Sequence, residues 1–224
     1  MDPHELTPPY FRWLVHLIRP FPNFDLFFVR PLRQRAVRAL QLQTGSRVLD
    51  VGCGPGGSFP YLVEAVGPAG EVVGVEISPE VSINARRRIE ANRWSNVQVV
   101  EGDARTVQLN GTFDAMLLLG APDAYASPEA VENLLRYLKD DARVVAFGAK
   151  LTHRHLSKML NWLSRSLMKL SFSSTPALSY EPWYVLEKRL AEVQVQESSF
   201  GCMFLAWGSV RSSSATVDKS PLLT

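Results

Sequence analysis

At 224 residues the chain is long enough for one large α/β domain with a core of its own. Its 46% hydrophobic content is ordinary for a soluble protein, and its formal net charge of +2 gives no reason to expect a nucleic-acid partner. The two cysteines, Cys53 and Cys202, one of them inside a glycine-rich turn, argue against a disulfide framework and fit a reducing, cytoplasmic setting.

Residues 1–9 are proline-rich and read as irregular, with no basic region ahead of an apolar core, so no signal peptide is expected. The apolar stretch from Phe11 to Leu32 is interrupted by Arg12, His16, Arg19, Pro20, Pro22, Asp25, Arg30 and Pro31, which rules out a clean membrane span. Tyr10 to Ile18 reads as a short aromatic helix stopped by Pro20 and Pro22, and Asn23 to Val29 is aromatic again. Residues 1–30 thus form an N-terminal cap segment. Pro31 then suits the first turn of a helix over Leu32–Leu42, with Leu32, Ala36, Ala39 and Leu40 on one face and Arg33, Arg35 and Arg38 elsewhere.

From Arg47 the pattern alternates strand and helix, the mark of a doubly wound sheet. Strands are expected at Arg47–Gly52, Glu71–Ile77, Val97–Gly102, Phe113–Leu119 and Arg143–Gly148. Helices are expected from Ser58 to Val66, from Pro79 to Asn92 behind an N-cap at Ser78, and from Pro128 to Leu138 behind Ser127. Near-continuous apolar strands such as Ala115–Leu119 suit a parallel sheet buried on both faces. Between 151 and 180 the pattern changes. Leu156, Met159, Leu160, Leu163, Leu167 and Leu170 recur at helical spacing, while Arg154, Lys158, Arg165 and Lys169 lie on another side with no acid among them. A helix from Glu181 to Ala191 and two strands, Val193–Phe200 and Met203–Val210, follow. Gly201 and Cys202 are too few for a crossover, so these last strands must pair antiparallel. Residues 31–210 make the domain, 151–180 an insert within it, and 211–224 a loose tail.

The chemistry gathers at one stretch. Arg47 to Val51 enters as a strand, Gly52 to Gly57 forms a tight turn, and a helix follows, so backbone amides can face a nucleotide-like ligand. Gly52-x-Gly54-x-x-Gly57 fits a dinucleotide fingerprint, and Asp50-x-Gly52-x-Gly54-x-Gly56 resembles the fingerprint of the class I methyltransferases, which bind S-adenosylmethionine (SAM). Three acids end three successive strands, where open parallel sheets bind ligands. Asp50 sits beneath the turn and can take a methionine ammonium. Glu76, 20 residues past Gly56, can accept ribose hydroxyls, and Asp103 can meet an adenine amino group.

Val48 to Gly56, Val73-Gly-Val-Glu76, Glu101-Gly-Asp-Ala104 and Phe113-Asp114, taken together, resemble the class I SAM-dependent methyltransferases. That resemblance implies a Rossmann-like, seven-stranded, mostly parallel α/β sheet closed by an antiparallel hairpin, with helices on both faces. It implies SAM as cofactor and S-adenosylhomocysteine as product. Asp50, Gly52, Gly54 and Gly56 would hold the methionine part, Glu76 with Ile77 the ribose, and Asp103 with Ala104 the adenine; Leu119 and Gly120 would lie beside the methyl group. A nicotinamide dehydrogenase would account for Gly57 and Glu76. It would not account for Asp50, for the Gly-Asp-Ala run or for the hairpin. A SAM-binding protein that methylates nothing, catalysing a cyclisation or only binding, stands as the other reading.

The transfer would be an in-line displacement, in which the enzyme orients and desolvates the acceptor. Asp123, Tyr125 and His153 are the candidate catalytic residues, with Tyr10, His155 and Tyr180 as further polar groups on the cap segments. No metal-ligand spacing is evident; His153 and His155 read as solvated or substrate-facing. Strand four is not followed by the Asn-Pro-Pro-Tyr or Asp-Pro-Pro-Tyr of enzymes that methylate amino groups of nucleobases and glutamine. Asp25 to Arg33 is similar to the branch that contains quinone C-methyltransferases and bacterial phosphatidylethanolamine N-methyltransferases. With an aromatic N-terminal segment and a basic amphipathic insert, this implies a hydrophobic small-molecule or lipid acceptor, and a cytoplasmic protein whose insert serves as a lid or touches a membrane surface.

Overall fold

The structure is a computed structural model and describes residues 30–153, 157–162, 165 and 178–212. The expected helix at Tyr10–Ile18, the aromatic run to Val29, most of the 151–180 insert with Arg154, His155 and Lys169, and residues 213–224 lie outside the described residues.

Seven strands form one sheet in the order β3-β2-β1-β4-β5-β7-β6. They are β1 (Arg47–Val51), β2 (Glu71–Glu76), β3 (Val97–Glu101), β4 (Phe113–Leu119), β5 (Leu138–Ala149), β6 (Leu190–Ser198) and β7 (Met203–Val210). The first five pair parallel, and β7 runs antiparallel to both β5 and β6. Helices α1 (Arg30–Ala39), α2 (Phe59–Val66), α3 (Pro79–Asn92), α4 (Pro122–Tyr125), α5 (Pro128–Leu135) and α6 (Tyr184–Arg189) surround it, and residues 157–162 are helical as well.

The alternation of side chains along each strand divides the core into two layers. Leu49, Val51, Val73, Val75, Met116 and Leu118 pack with α5 and α6 residues such as Leu134 and Leu186. Val48, Val72, Ala115, Leu117 and Val145 pack with Ala36 and Val37 of α1, with Leu40 just after it, and with Phe59, Leu62 and Val66 of α2. Asp50 shares the parity of Val48, so its carboxylate enters the α1–α2 layer. The N-caps form as the sequence predicts. Ser78 accepts the Val81 amide at 3.4 Å and Ser127 the Ala130 amide at 3.2 Å, each ahead of a proline that needs no such partner.

Several elements depart from the sequence reading. The helix opening at Pro128 stops at Leu135 rather than Leu138 because the Tyr137 carbonyl accepts the Phe113 amide at 2.8 Å, which draws Leu138 into β5. That strand is accordingly longer than Arg143–Gly148, with a register shift against β4 and Asp141 at a left-handed φ of 62°. Helix α6 spans Tyr184–Arg189 rather than Glu181–Ala191, because Leu190 pairs with Val210 and is buried as the start of β6. Arg33, placed off the apolar face by the sequence pattern, is buried with Ala36 and Val37.

Candidate active site at the carboxyl edge of the sheet

Strands β1 and β4 are neighbours although two strands separate them along the chain. Strand order reverses there, and the crevice outside the carboxyl ends at such a point is where open α/β sheets bind ligands. The glycine turn lies at that edge, fastened to β2 by the amides of Gly52 and Cys53, both donating to the Val75 carbonyl at 2.8 and 3.1 Å.

The turn presents backbone rather than side chains. Gly54, at φ +57°, has nothing within 4 Å of where a Cβ would stand, so its face is open to a ligand. Gly52 and Gly56 are closed off on that side by Ala121 and the Phe59 ring. Gly57 holds a different role: a Cβ there would overlap the guanidinium of Arg33, which lies on the glycine.

Glu76 is 8% exposed. One of its oxygens accepts the Gly54 amide at 3.0 Å and the other the Ser78 amide at 2.9 Å, which ties the turn to the end of β2. Each oxygen retains a lone pair, so the carboxylate can still accept a diol. Beside it Ile77 is 63% exposed, an apolar side chain left standing at the edge.

Asp50 is 1% exposed, and its Oδ2 has no hydrogen-bond partner. Burial pushes its carboxyl up to about 7, against the pull of Arg33 and with a further push from Glu76. A buried acceptor without a donor, beneath an open glycine turn, suits a cationic group of a ligand.

Asp103 is engaged by Arg105. Nε reaches Oδ1 at 3.0 Å and Oδ2 at 2.9 Å, Nη2 reaches Oδ2 at 2.5 Å, and the Arg105 amide reaches Oδ1 at 2.9 Å. These bonds hold the Asp103 carboxyl below the usual range. An adenine amino group would therefore share Asp103 with this arginine, a partner the sequence reading did not include. Ala104 lies half-buried beside it, its carbonyl accepting the Asn133 side chain at 3.1 Å. Leu119 and Gly120 end β4 half-exposed, Gly120 with nothing within 4 Å of its open side.

The three candidate catalytic residues separate. Asp123 is exposed on α4, within the field of Arg105. His153 is exposed and stacks on Tyr180, ring centroids 3.8 Å apart and planes 10° off parallel. The segments carrying this pair are joined by the Leu151 amide donating to the Ser179 carbonyl at 2.8 Å. Asn161 exchanges two hydrogen bonds with the Thr152 backbone, fixing helical residues 157–162 to the same place.

Tyr125 is buried. The phenol is 1% exposed, set edge-on to Phe204 with centroids 5.4 Å apart and with its oxygen against Gly148. Burial drives its ionisation upward, so a base there would have to form an anion inside an apolar layer.

Both cysteines are free, Cys53 buried within the turn with its thiol pushed well up by burial. Depressions of about 470 and 390 Å³ lie elsewhere, at the amino ends of the strands, lined by residues such as Ser46, Asp114 and Lys139 in one and Gly67, Trp94 and Asn96 in the other. Among the described residues no helix is long and apolar enough to cross a membrane.

Arg33 was the main omission of the sequence reading, and its signal was there. Arg33, Ala36, Val37 and Leu40 follow the i, i+3, i+4, i+7 spacing of a buried stripe.

Residues 48–141 match the family model described as "Methyltransferase domain". Aklanonic acid methyltransferase DauC of Streptomyces sp. (strain C5) is 34% identical over 118 residues, covering 52% of this chain and 53% of that protein. Demethylmenaquinone methyltransferase of Geobacillus sp. (strain WCH70) is 26% identical over 171 residues, covering 74% of this chain and 73% of that protein. The chain thus spans about half the length of the first of these relatives. In fold it is similar to the crystal structure of a SAM-dependent methyltransferase from Aquifex aeolicus, with a TM-score of 0.60 and 21% identity over 80% of this chain and 89% of that one.

Proposed function

We propose that the chain, whose residues 48–141 match a methyltransferase-domain family model, transfers a methyl group from SAM to a hydrophobic small-molecule or lipid-like acceptor. The observation that carries this reading is the arrangement of acids around the glycine turn. Asp50, at the end of β1 ahead of the turn, is buried with an unpartnered oxygen, the side of Gly54 is open, and Glu76 is bonded to the Gly54 amide.

In this reading Asp50 takes the methionine ammonium, Glu76 the ribose hydroxyls, and Asp103 the adenine amino group. Ile77 joins Glu76 at the ribose, Ala104 flanks the base beside Asp103, and Gly52, Gly54 and Gly56 keep the backbone close. When bound, SAM supplies an activated methyl on a positively charged sulfur. The protein has to orient the acceptor, exclude water and receive any proton released. His153, stacked on Tyr180 at the end of β5, and Asp123, exposed after β4, are the polar groups suited to that work.

Support for an apolar acceptor comes from two directions. Tyr180 is exposed and stacked on His153, and Met159 and Trp162 are exposed on the helical residues 157–162 that Asn161 fastens to Thr152. The relatives above are named for aklanonic acid and demethylmenaquinone. Lys158, Arg165 and Trp162 are exposed on the insert and suit contact with an anionic membrane surface.

The test is transfer of labelled methyl from SAM to a panel of hydroquinones, phenolic polyketides and phosphatidylethanolamine vesicles. Label in an organic-extractable product is the expected result. Tight S-adenosylhomocysteine binding with no transfer to any extract component would replace this reading with the non-methylating one. Flotation with anionic vesicles tests the membrane contact, which fails if Lys158→Glu with Arg165→Glu leaves binding unchanged.

A further inference from the structure

Arg33 is a cation 7% exposed inside the layer that also receives Asp50. It lies on α1, ahead of the sheet, and its guanidinium rests on Gly57 so closely that any Cβ there would overlap it. Burying a charge is costly unless other charges or hydrogen bonds compensate it. The turn it touches carries two acids at its base, Asp50 and Glu76, and Glu76 is already bonded to the Gly54 and Ser78 amides. Asp50 keeps one oxygen without a partner.

We propose that Arg33 is a positioning residue for donor binding: seated on Gly57, it keeps Asp50 ionised beneath the turn, so that Asp50 can take the ammonium at the amino-acid end of the donor. This rests on the donor-binding reading above and adds to it a residue outside the motifs that carry that reading.

Among the described residues, the charged and titratable groups facing Asp50 are Arg33 from α1, Glu76 from β2 and Cys53 from the turn; its partner on β4 is the apolar Leu117. Burial raises the Asp50 carboxyl to about 7, Arg33 opposes that rise and Glu76 adds to it. Below that pH Asp50 gains a proton and loses its attraction for an ammonium; above it the carboxylate is formed. Removing Arg33 removes the opposing influence, so the pH needed to form the carboxylate moves up.

The experiment measures affinity for two ligands by calorimetry between about pH 6 and about pH 9, on the wild type, Arg33→Met and Arg33→Lys. S-adenosylhomocysteine carries the amino-acid end; 5′-methylthioadenosine has the same nucleoside and sulfur but lacks it. In the wild type, S-adenosylhomocysteine binding is expected to weaken as the pH falls through the Asp50 transition. In Arg33→Met the midpoint moves up by about one unit, and near neutral pH affinity drops about tenfold. Methylthioadenosine changes by less than about twofold throughout and reports that the site is folded. Arg33→Lys restores part of the loss, since it keeps the charge without the planar fork.

Equal losses for both ligands in Arg33→Met would make Arg33 a packing residue and overturn the proposal. A variant pH profile that overlays the wild type would overturn it too. Should Arg33→Met fail to fold, the midpoint in Arg33→Lys decides, and an unshifted one counts against the proposal. A wild type that binds methylthioadenosine but not S-adenosylhomocysteine would also overturn it, whereas one that binds neither at any pH would instead remove the donor reading beneath it.

Discussion

The Glu76 carboxylate accepts the Gly54 amide at 3.0 Å, so the end of β2 holds the turn that leaves β1. One side chain thereby shapes the loop, and in the proposed reading it also offers lone pairs to a diol. Glu76→Ala should weaken S-adenosylhomocysteine binding by about 10- to 100-fold, the worth of one or two hydrogen bonds to a charged group. Glu76→Gln should fall between, because it keeps one acceptor and turns a donor toward the other amide. Titration calorimetry reads both, and an affinity within about twofold of wild type in Glu76→Ala removes the ribose assignment.

Two glycines of the turn should respond differently. A Cβ on Gly52 would stand 2.7 Å from the Ala121 Cβ, at a φ of +66°. Gly52→Ala should therefore cost about 1–3 kcal/mol of stability, some 2–4 °C in Tm for each kcal/mol. Gly54→Ala meets no neighbour, so its stability cost should be the smaller of the two, while its new methyl enters the open face and weakens the ligand. Thermal melts with and without S-adenosylhomocysteine separate the two effects. A reversed pattern would mean that the ligand does not approach over Gly54.

Asp50 should trade stability for binding. Its folded value of about 7 lies above the ordinary 3.8, so the folded chain holds this proton more firmly than the unfolded one. The stabilisation is fully present below 3.8 and is lost as the pH rises through about 7, where the ionised carboxylate costs on the order of a few kcal/mol. Asp50→Asn should raise Tm by several degrees near pH 8, lose that advantage near pH 4, and bind S-adenosylhomocysteine more weakly. Melts across that range are the check; no gain in Tm at the alkaline end would mean that Asp50 is not held against its own ionisation.

Tyr125→Phe should be neutral or stabilising by about 1 kcal/mol, since it deletes a buried hydroxyl that has no partner. Methyl transfer and S-adenosylhomocysteine affinity should both survive it. A variant that binds but no longer transfers would return Tyr125 to the chemistry.

The sheet was legible in the sequence because its signals are local: apolar runs for β1, β2 and β4, and Ser-Pro starts for α3 and α5. Asp50, Glu76 and Asp103 could be placed at one edge from strand ends and parallel pairing alone. What escaped depends on contacts distant in sequence or on competition for a partner. Arg33 reaches Gly57 across 24 positions, and a charged residue at a core spacing is easily read as an exposed one. Arg105 claims Asp103 from two residues away, yet nothing in its residue type separates it from other surface arginines. Tyr125 sits on a four-residue helix, too short for periodicity to show which side is buried. The ends of β5 and of α6 shifted because sheet pairing overrode helix propensity at Leu138 and Leu190.

Strand β7 lies between β5 and β6, although it comes last of the seven along the chain. During synthesis, therefore, β5 must wait with a bare edge until residues 203–210 have left the ribosome, and only then is the sheet sealed. The strand that finally forms the rim, β6, carries Glu192, Gln194, Gln196 and Glu197, polar side chains that discourage a neighbouring chain from adding to it. Until β7 arrives, the rim is instead the apolar Val144-Val145-Ala146-Phe147 of β5. A nascent or truncated chain ending near Phe200 is consequently the form of this protein most exposed to aggregation and most in need of a chaperone.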